Sequence, residues 1–175
     1  VIENIDYTHD RNIDRNQIQR FATCDFITQK DNILITGSTG AGKSYMASAI
    51  GHQACSLGFK TMYFNTSKLF TMLKTSKADG SYLKQVSKIE KQDLLILDDF
   101  GLKGLDTINR HSLMEIIEDR HGKKSTIIAS QLPVETWHEI IGEQTIADAI
   151  LDRLVHTAHR INIKGESMRK KLKNK

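Results

Sequence analysis

Short continuous apolar runs alternate along this chain with stretches whose apolar residues recur at helical spacing. Asn32-Ile33-Leu34-Ile35-Thr36, Thr61-Met62-Tyr63-Phe64-Asn65, Asp93 to Asp98 and Ser125-Thr126-Ile127-Ile128-Ala129 predict four strands, and Arg160-Ile161-Asn162-Ile163 a fifth. Between them, Met46, Ala49, Ile50, Ala54 and Leu57 predict a helix ending at Gly58, and Leu69, Phe70 and Leu73 a helix capped by Ser67. Tyr82, Leu83, Val86 and Ile89 mark a short helix after a loop at Ala78-Asp79-Gly80. Leu113, Ile116 and Ile117 belong to a helix that starts at Asp106 or Thr107 and ends at Gly122. Pro133 suits the start of a short helix through Trp137 and Ile141, and Ile146, Ile150 and Leu154 mark one more. Such alternation predicts an α/β fold, a five-stranded parallel sheet flanked by helices, with ligand at the carboxyl edge of the strands. The run Leu94-Leu95-Ile96-Leu97 is apolar at every position, as a central strand covered on both faces requires.

Composition narrows the class. With 175 residues, 39% hydrophobic and 26% charged, the chain can bury one core, and the absence of repeats, together with a single proline, predicts one domain over 1–175. No apolar stretch approaches the roughly 20 residues of a membrane span, and the first residues do not resemble a signal peptide, so no membrane partner and a cytoplasmic location are expected. The lack of an initial Met predicts a fragment of a longer chain with a domain upstream. Cys24 and Cys55 fit no C-x-x-C and read as small buried apolar groups; His156 and His159 find no further zinc ligands in the sequence. The net charge of +4 is unevenly placed. Lys68, Lys74, Lys77, Lys84, Lys88 and Lys91 crowd one segment, and Lys164, Arg169, Lys170, Lys171, Lys173 and Lys175 another.

Gly37-Ser38-Thr39-Gly40-Ala41-Gly42-Lys43-Ser44 spells G-x-x-x-x-G-K-S between a predicted strand and a predicted helix. Glycines there let successive backbone N–H groups point at phosphates, and the following helix N-terminus adds partial positive charge. Lys43 would reach the β- and γ-phosphates, the Ser44 hydroxyl would hold Mg2+, and Tyr45 would border the nucleotide. The predicted ligand is a nucleoside triphosphate.

Hydrolysis needs acidic groups beside the phosphates. Asp98, at the end of its strand, is placed to engage Mg2+, and Asp99 to polarise the attacking water; a pair that merely caps a turn reads the same way. Ser130-Gln131 would lie beside that strand, where the Gln131 amide could orient water or sense the γ-phosphate. Arg153 is a charged residue within an apolar helical segment. It is either one half of a surface pair or an arginine donated to a neighbouring subunit's transition state.

Taken in order, the phosphate loop, Asp93 to Gly101 with its Asp-Asp-Phe-Gly, Ser130-Gln131-Leu132-Pro133 followed by Trp137, Ala149 to His156, and Gly165-Glu166-Ser167-Met168-Arg169 resemble the IstB-like transposition helper ATPases. The resemblance covers nearly the whole chain. It implies an AAA+ ATPase of the initiator and helicase-loader clade, encoded beside a bacterial insertion-sequence transposase. Such a protein uses ATP and Mg2+, forms a homo-oligomer on duplex DNA with nucleotide at subunit interfaces, and directs or stimulates its cognate transposase. It also implies that Lys43 and Ser44 contact phosphate and Mg2+, Asp98 serves the metal, Asp99 is the base, Gln131 is the first sensor and Arg153 the finger acting in trans. Gln131 stands where many relatives have Asn, and Asp99 where most AAA+ proteins have Glu, which suggests slow or stimulated hydrolysis. The usual C-terminal helical lid reads as reduced or absent, and Arg169 is assignable either to the nucleotide or to solvent. The lysine-rich segment falls where the initiator clade lines a nucleic-acid channel, so Lys68, Lys74, Lys77 and Lys84 are candidate phosphate contacts; a solvated helix face is the alternative. Tyr7 and the segment around Ile13 are candidates for the adenine pocket.

Three other functions share parts of this pattern. A replicative helicase loader has the same core and arginine motif. A P-loop kinase would need an arginine-bearing lid, and a DNA scaffold switched by ATP would not need Asp99.

Overall fold

The structure, a computed structural model, describes residues 15–38 and 42–163. Thr39, Gly40 and Ala41, Tyr7 and Ile13, and the basic tail with Lys164 and Arg169 lie outside the described residues. The elements run α1 (Arg15–Ala22), α2 (Asp25–Thr28), β1 (Asn32–Gly37), α3 (Lys43–Ser56), β2 (Thr61–Asn65), α4 (Thr66–Asp79) and α5 (Tyr82–Glu90). They continue with β3 (Leu94–Asp98), α6 (Thr107–Arg120), β4 (Ser125–Ser130), a 3-10 turn at Val134–Thr136, α7 (Trp137–Ile141), α8 (Gln144–Val155) and β5 (Ala158–Ile163).

All five strands are parallel, in the order β2-β3-β4-β1-β5. Side chains of a strand alternate between faces, so continuous apolar runs require cover on both sides. Ile33, Ile35, Leu94, Ile96, Ile127 and Ala129 pack against α1, α2 and α3, while Leu34, Leu95, Leu97 and Ile128 pack against the helices from α4 to α8. β1, β3 and β4 are buried along their whole length, and every strand points its carboxyl end at the same edge.

Four sequence expectations change. The cap of α4 is Asn65, whose side chain accepts from Lys68 N at 3.2 Å, rather than Ser67, because β2 runs into the helix without a linker. Helices α1 and α2 were not evident in the sequence. Cys24 is buried, its thiol pushed up to about 11 by burial and by Asp25, whereas Cys55 is exposed because α3 turns Ala54 inward and the next position out. Leu57 is exposed too: α3 ends at Ser56, and Phe59 takes the packing position.

The amino edge of the sheet is tied together by polar groups. Arg120 is buried and donates to the carbonyls of Ile89, Gln92 and Ser125, joining the end of α5 to β4; burial lowers its pKa to about 10. Asn32, opening β1, donates to Leu154 O at 3.2 Å and accepts from Thr126 N at 2.9 Å, which seats the last turn of α8 at this edge.

Candidate functional site

β1 ends at Gly37, and α3 starts at Lys43 after Gly42, which has φ +92, a left-handed backbone that glycine adopts without strain. Lys43 is 5% exposed. Among the described residues its ammonium has neither a carboxylate nor a hydrogen-bond partner. Such a charge is costly to bury alone, so the position fits an anionic ligand of the phosphate class. Ser38, just past β1, is exposed, and Tyr45, also exposed, turns away from the core on the first turn of α3.

Replacing Lys43 with Ala should lower ATP affinity about a hundredfold, the effect of losing charge-assisted bonds of about 1.5–3 kcal/mol, without lowering the ligand-free melting temperature. Titration with a fluorescent ATP analogue and thermal unfolding check both. Unchanged affinity would remove the phosphate role, and a large drop in ligand-free stability would mark a structural lysine instead.

Asp98 is buried at the carboxyl end of β3. Its Oδ1 accepts from Ser44 Oγ at 3.1 Å and from Asp99 N at 2.8 Å; its Oδ2 accepts from the Tyr63 hydroxyl. Thr66 Oγ1 holds the Asp98 carbonyl at 2.7 Å. A hydroxyl and a carboxylate brought together at a phosphate loop are the hard oxygen donors that suit Mg2+, which keeps several waters and uses few protein ligands. Burial of the Tyr63 hydroxyl, then the bond to Asp98 and the negative charge of Asp98 and Asp99, raises the Tyr63 pKa, so the phenol stays a donor.

Asp99 leaves the strand at φ +55, a conformation Asp tolerates better than most residues. Its half-buried carboxylate accepts from Asn65 Nδ2 at 3.1 Å. Gln131 is exposed just past β4, the strand between β3 and β1, so it stands at the same edge as Gly37 and Asp98. Its neighbour Ser130 is committed internally, donating to Phe100 O at 2.6 Å and accepting from Leu132 N at 3.1 Å.

Arg153 does not join this cluster. It lies in the last turn of α8, in a crevice with Asn32 and Thr126 at the amino edge of the sheet, the full length of a strand or about 17 Å from the carboxyl edge. There its guanidinium pairs with Glu118 of α6 and donates to Ala149 O at 3.0 Å. The candidate DNA lysines also divide. Lys74 pairs with Asp106 at 2.6 Å, and Lys77 sits 4.7 Å from the Tyr82 ring centroid. Lys68 and Lys84 are exposed without a carboxylate partner among the described residues. Lys84 and Lys88 on α5, with Lys91 capping its end, are spaced i, i+4, i+7 and exposed, beside Leu83, which is 78% exposed.

Sequence reasoning missed Tyr63 and Asn65. Parallel register pairs Asn65 with Asp98, so polar residues near the end of one strand meet those ending the next, and the predicted ends of β2 and β3 held that signal.

A strand, a glycine loop with its buried lysine, and an acidic pair on the strand two places along the sheet define a P-loop ATPase of the AAA+ class. Its backbone matches that of DnaI with a TM-score of 0.77 at 22% identity, over 93% of this chain and 89% of that one. The family model described as IstB-like ATP binding protein matches residues 1–175, and the chain belongs to that family. It is 47% identical over its whole length to the putative insertion sequence ATP-binding protein y4pL of Sinorhizobium fredii, spanning 71% of that protein. With y4uH of the same organism it shares 43% identity over 160 residues, 91% of this chain and 64% of the relative. No helix among the described residues is long and apolar enough to cross a membrane.

Proposed function

We propose that residues 1–175 are the ATPase domain of a bacterial transposition helper that works in the cytoplasm. It assembles as a homo-oligomer on duplex DNA, holds ATP and Mg2+ between subunits, and directs the cognate transposase. The observation that carries this reading is the position of Arg153. A strand's length separates it from its own phosphate loop, so it can serve a γ-phosphate only on a neighbouring copy, and ATP turnover then requires assembly. The same head-to-tail contact, repeated, generates a ring or a helix, geometries able to follow a duplex. Likeness to proteins named for insertion sequences supports a transposase as the partner.

Within each site Lys43 binds the phosphates, Ser44 and Asp98 would hold Mg2+, Asp99 takes the proton of the attacking water and Gln131 orients it. Mg2+ supplies charge neutralisation on the phosphates when bound. Lys68 and the α5 lysines are free to meet DNA phosphates, whereas Lys74 and Lys77 must first leave Asp106 and Tyr82.

Sedimentation of the purified chain with ATP, Mg2+ and duplex DNA, over a range of salt, tests the reading. Assembly should need both ATP and DNA, and reversing the charge of Lys68 and Lys84 should flatten the salt slope by about one unit per lost phosphate contact. A particle that stays monomeric with all three present would overturn the reading.

A further inference from the structure

Tyr63 belongs to the site by geometry, yet it neither binds phosphate nor moves a proton in the proposed reaction. It stands on the edge strand β2 with 47% of its surface exposed, while its hydroxyl turns inward to Asp98 Oδ2, with Ser48 of α3 alongside. A ring left half in water gains little from packing there, so the hydroxyl's bond accounts for the orientation better than apolar burial does. The other carboxylate oxygen is held by Ser44 Oγ and Asp99 N. Donors from α3, β2 and the residue after β3 thus fix one carboxylate at both oxygens. Without the phenol, Oδ2 keeps no donor among the described residues, and the group can turn about a terminal torsion with a broad minimum.

We propose that Tyr63 is a positioning residue for the divalent cation: its hydroxyl locks Asp98 in the rotamer that presents Oδ1 beside Ser44. The inference rests on reading Ser44 and Asp98 as the Mg2+ half-site. A hydrogen bond to Oδ2 also draws charge from the carboxylate, which by itself would weaken a metal contact. Orientation outweighs this, since losing an outer partner of a metal ligand typically costs about 10–100-fold in affinity.

The test uses Mn2+ as the probe, its binding followed by electron paramagnetic resonance in the presence of a non-hydrolysable ATP analogue. The parent chain, Tyr63→Phe, Asp98→Asn and the double variant are compared. Tyr63→Phe keeps the half-exposed ring and removes only the hydroxyl. Mn2+ affinity should fall about tenfold in Tyr63→Phe, and the double variant should bind no more weakly than Asp98→Asn alone. Affinity of Tyr63→Phe within twofold of the parent, beside a clear loss in Asp98→Asn, overturns the role of Tyr63 and leaves the half-site standing. Additive losses in the double variant also overturn it, because the phenol would then act elsewhere. No loss in Asp98→Asn removes the half-site itself and the inference with it.

Discussion

Mixed in equal amounts on duplex DNA, Arg153→Ala and Asp99→Asn chains should recover ATP turnover that neither has alone. An Arg153→Ala chain keeps its own phosphate loop and base but offers its neighbour no guanidinium. An Asp99→Asn chain binds ATP without hydrolysing it and still presents Arg153. Where the two meet in the right order, one site is complete. Random mixing gives about a quarter of the parent rate, since half the sites carry the base and half of their neighbours carry the arginine. Alone, Arg153→Ala should lose about a thousandfold of the DNA-supported rate, the low end of what a trans arginine contributes to phosphoryl transfer. The Glu118 pair that holds Arg153 is no obstacle to this role. Both side chains are partly exposed, and such pairs contribute at most about 1 kcal/mol, so a neighbour's γ-phosphate can displace the carboxylate. Steady-state phosphate release on the mixtures checks the prediction. An unaltered rate in Arg153→Ala alone would return the residue to a surface pair, and a mixture as inactive as its components would exclude donation between subunits.

What the sequence made legible was local. The central strands β1, β3 and β4 show because a parallel sheet buried on both faces demands unbroken apolar runs, the edge strands β2 and β5 show as shorter mixed segments between turn signals, and the phosphate loop shows because its glycines, lysine and serine are contiguous. Asp98 and Asp99 follow from the end of the strongest such run. Contacts spanning 30 or more positions were not legible. Tyr63 and Asn65 reach Asp98 and Asp99 only through the pairing of β2 with β3, and the Arg153–Glu118 pair only through the packing of α8 on α6. The lysine-rich segment read as one cluster because sequence spacing does not show that Asp106 faces Lys74 or that the Tyr82 ring lies beneath Lys77. α1 escaped notice because Ile18 and Phe21 are its only buried apolar residues among those described, too few to set a period, and α2 is a single turn.

Asp99→Asn should leave ATP and Mg2+ bound and reduce turnover by about two to four orders of magnitude, the contribution of a positioned general base. The substitution isolates chemistry from structure. Asn is among the residues that best tolerate the left-handed backbone at φ +55, so the chain can leave β3 as before. The side chain keeps its size and an oxygen acceptor, so the bond from Asn65 Nδ2 can persist. An amide cannot take a proton from water at neutral pH, and that capacity is what the variant loses. Asp98 is untouched, and with Ser44 it retains the oxygens that suit the metal. Single-turnover hydrolysis, with nucleotide affinity measured in parallel, separates the outcomes. Intact binding with a collapsed rate assigns the base to Asp99. An unchanged rate would shift the water's activation to another group at this edge, and transposition that survives the loss of hydrolysis would make ATP an assembly switch rather than a fuel.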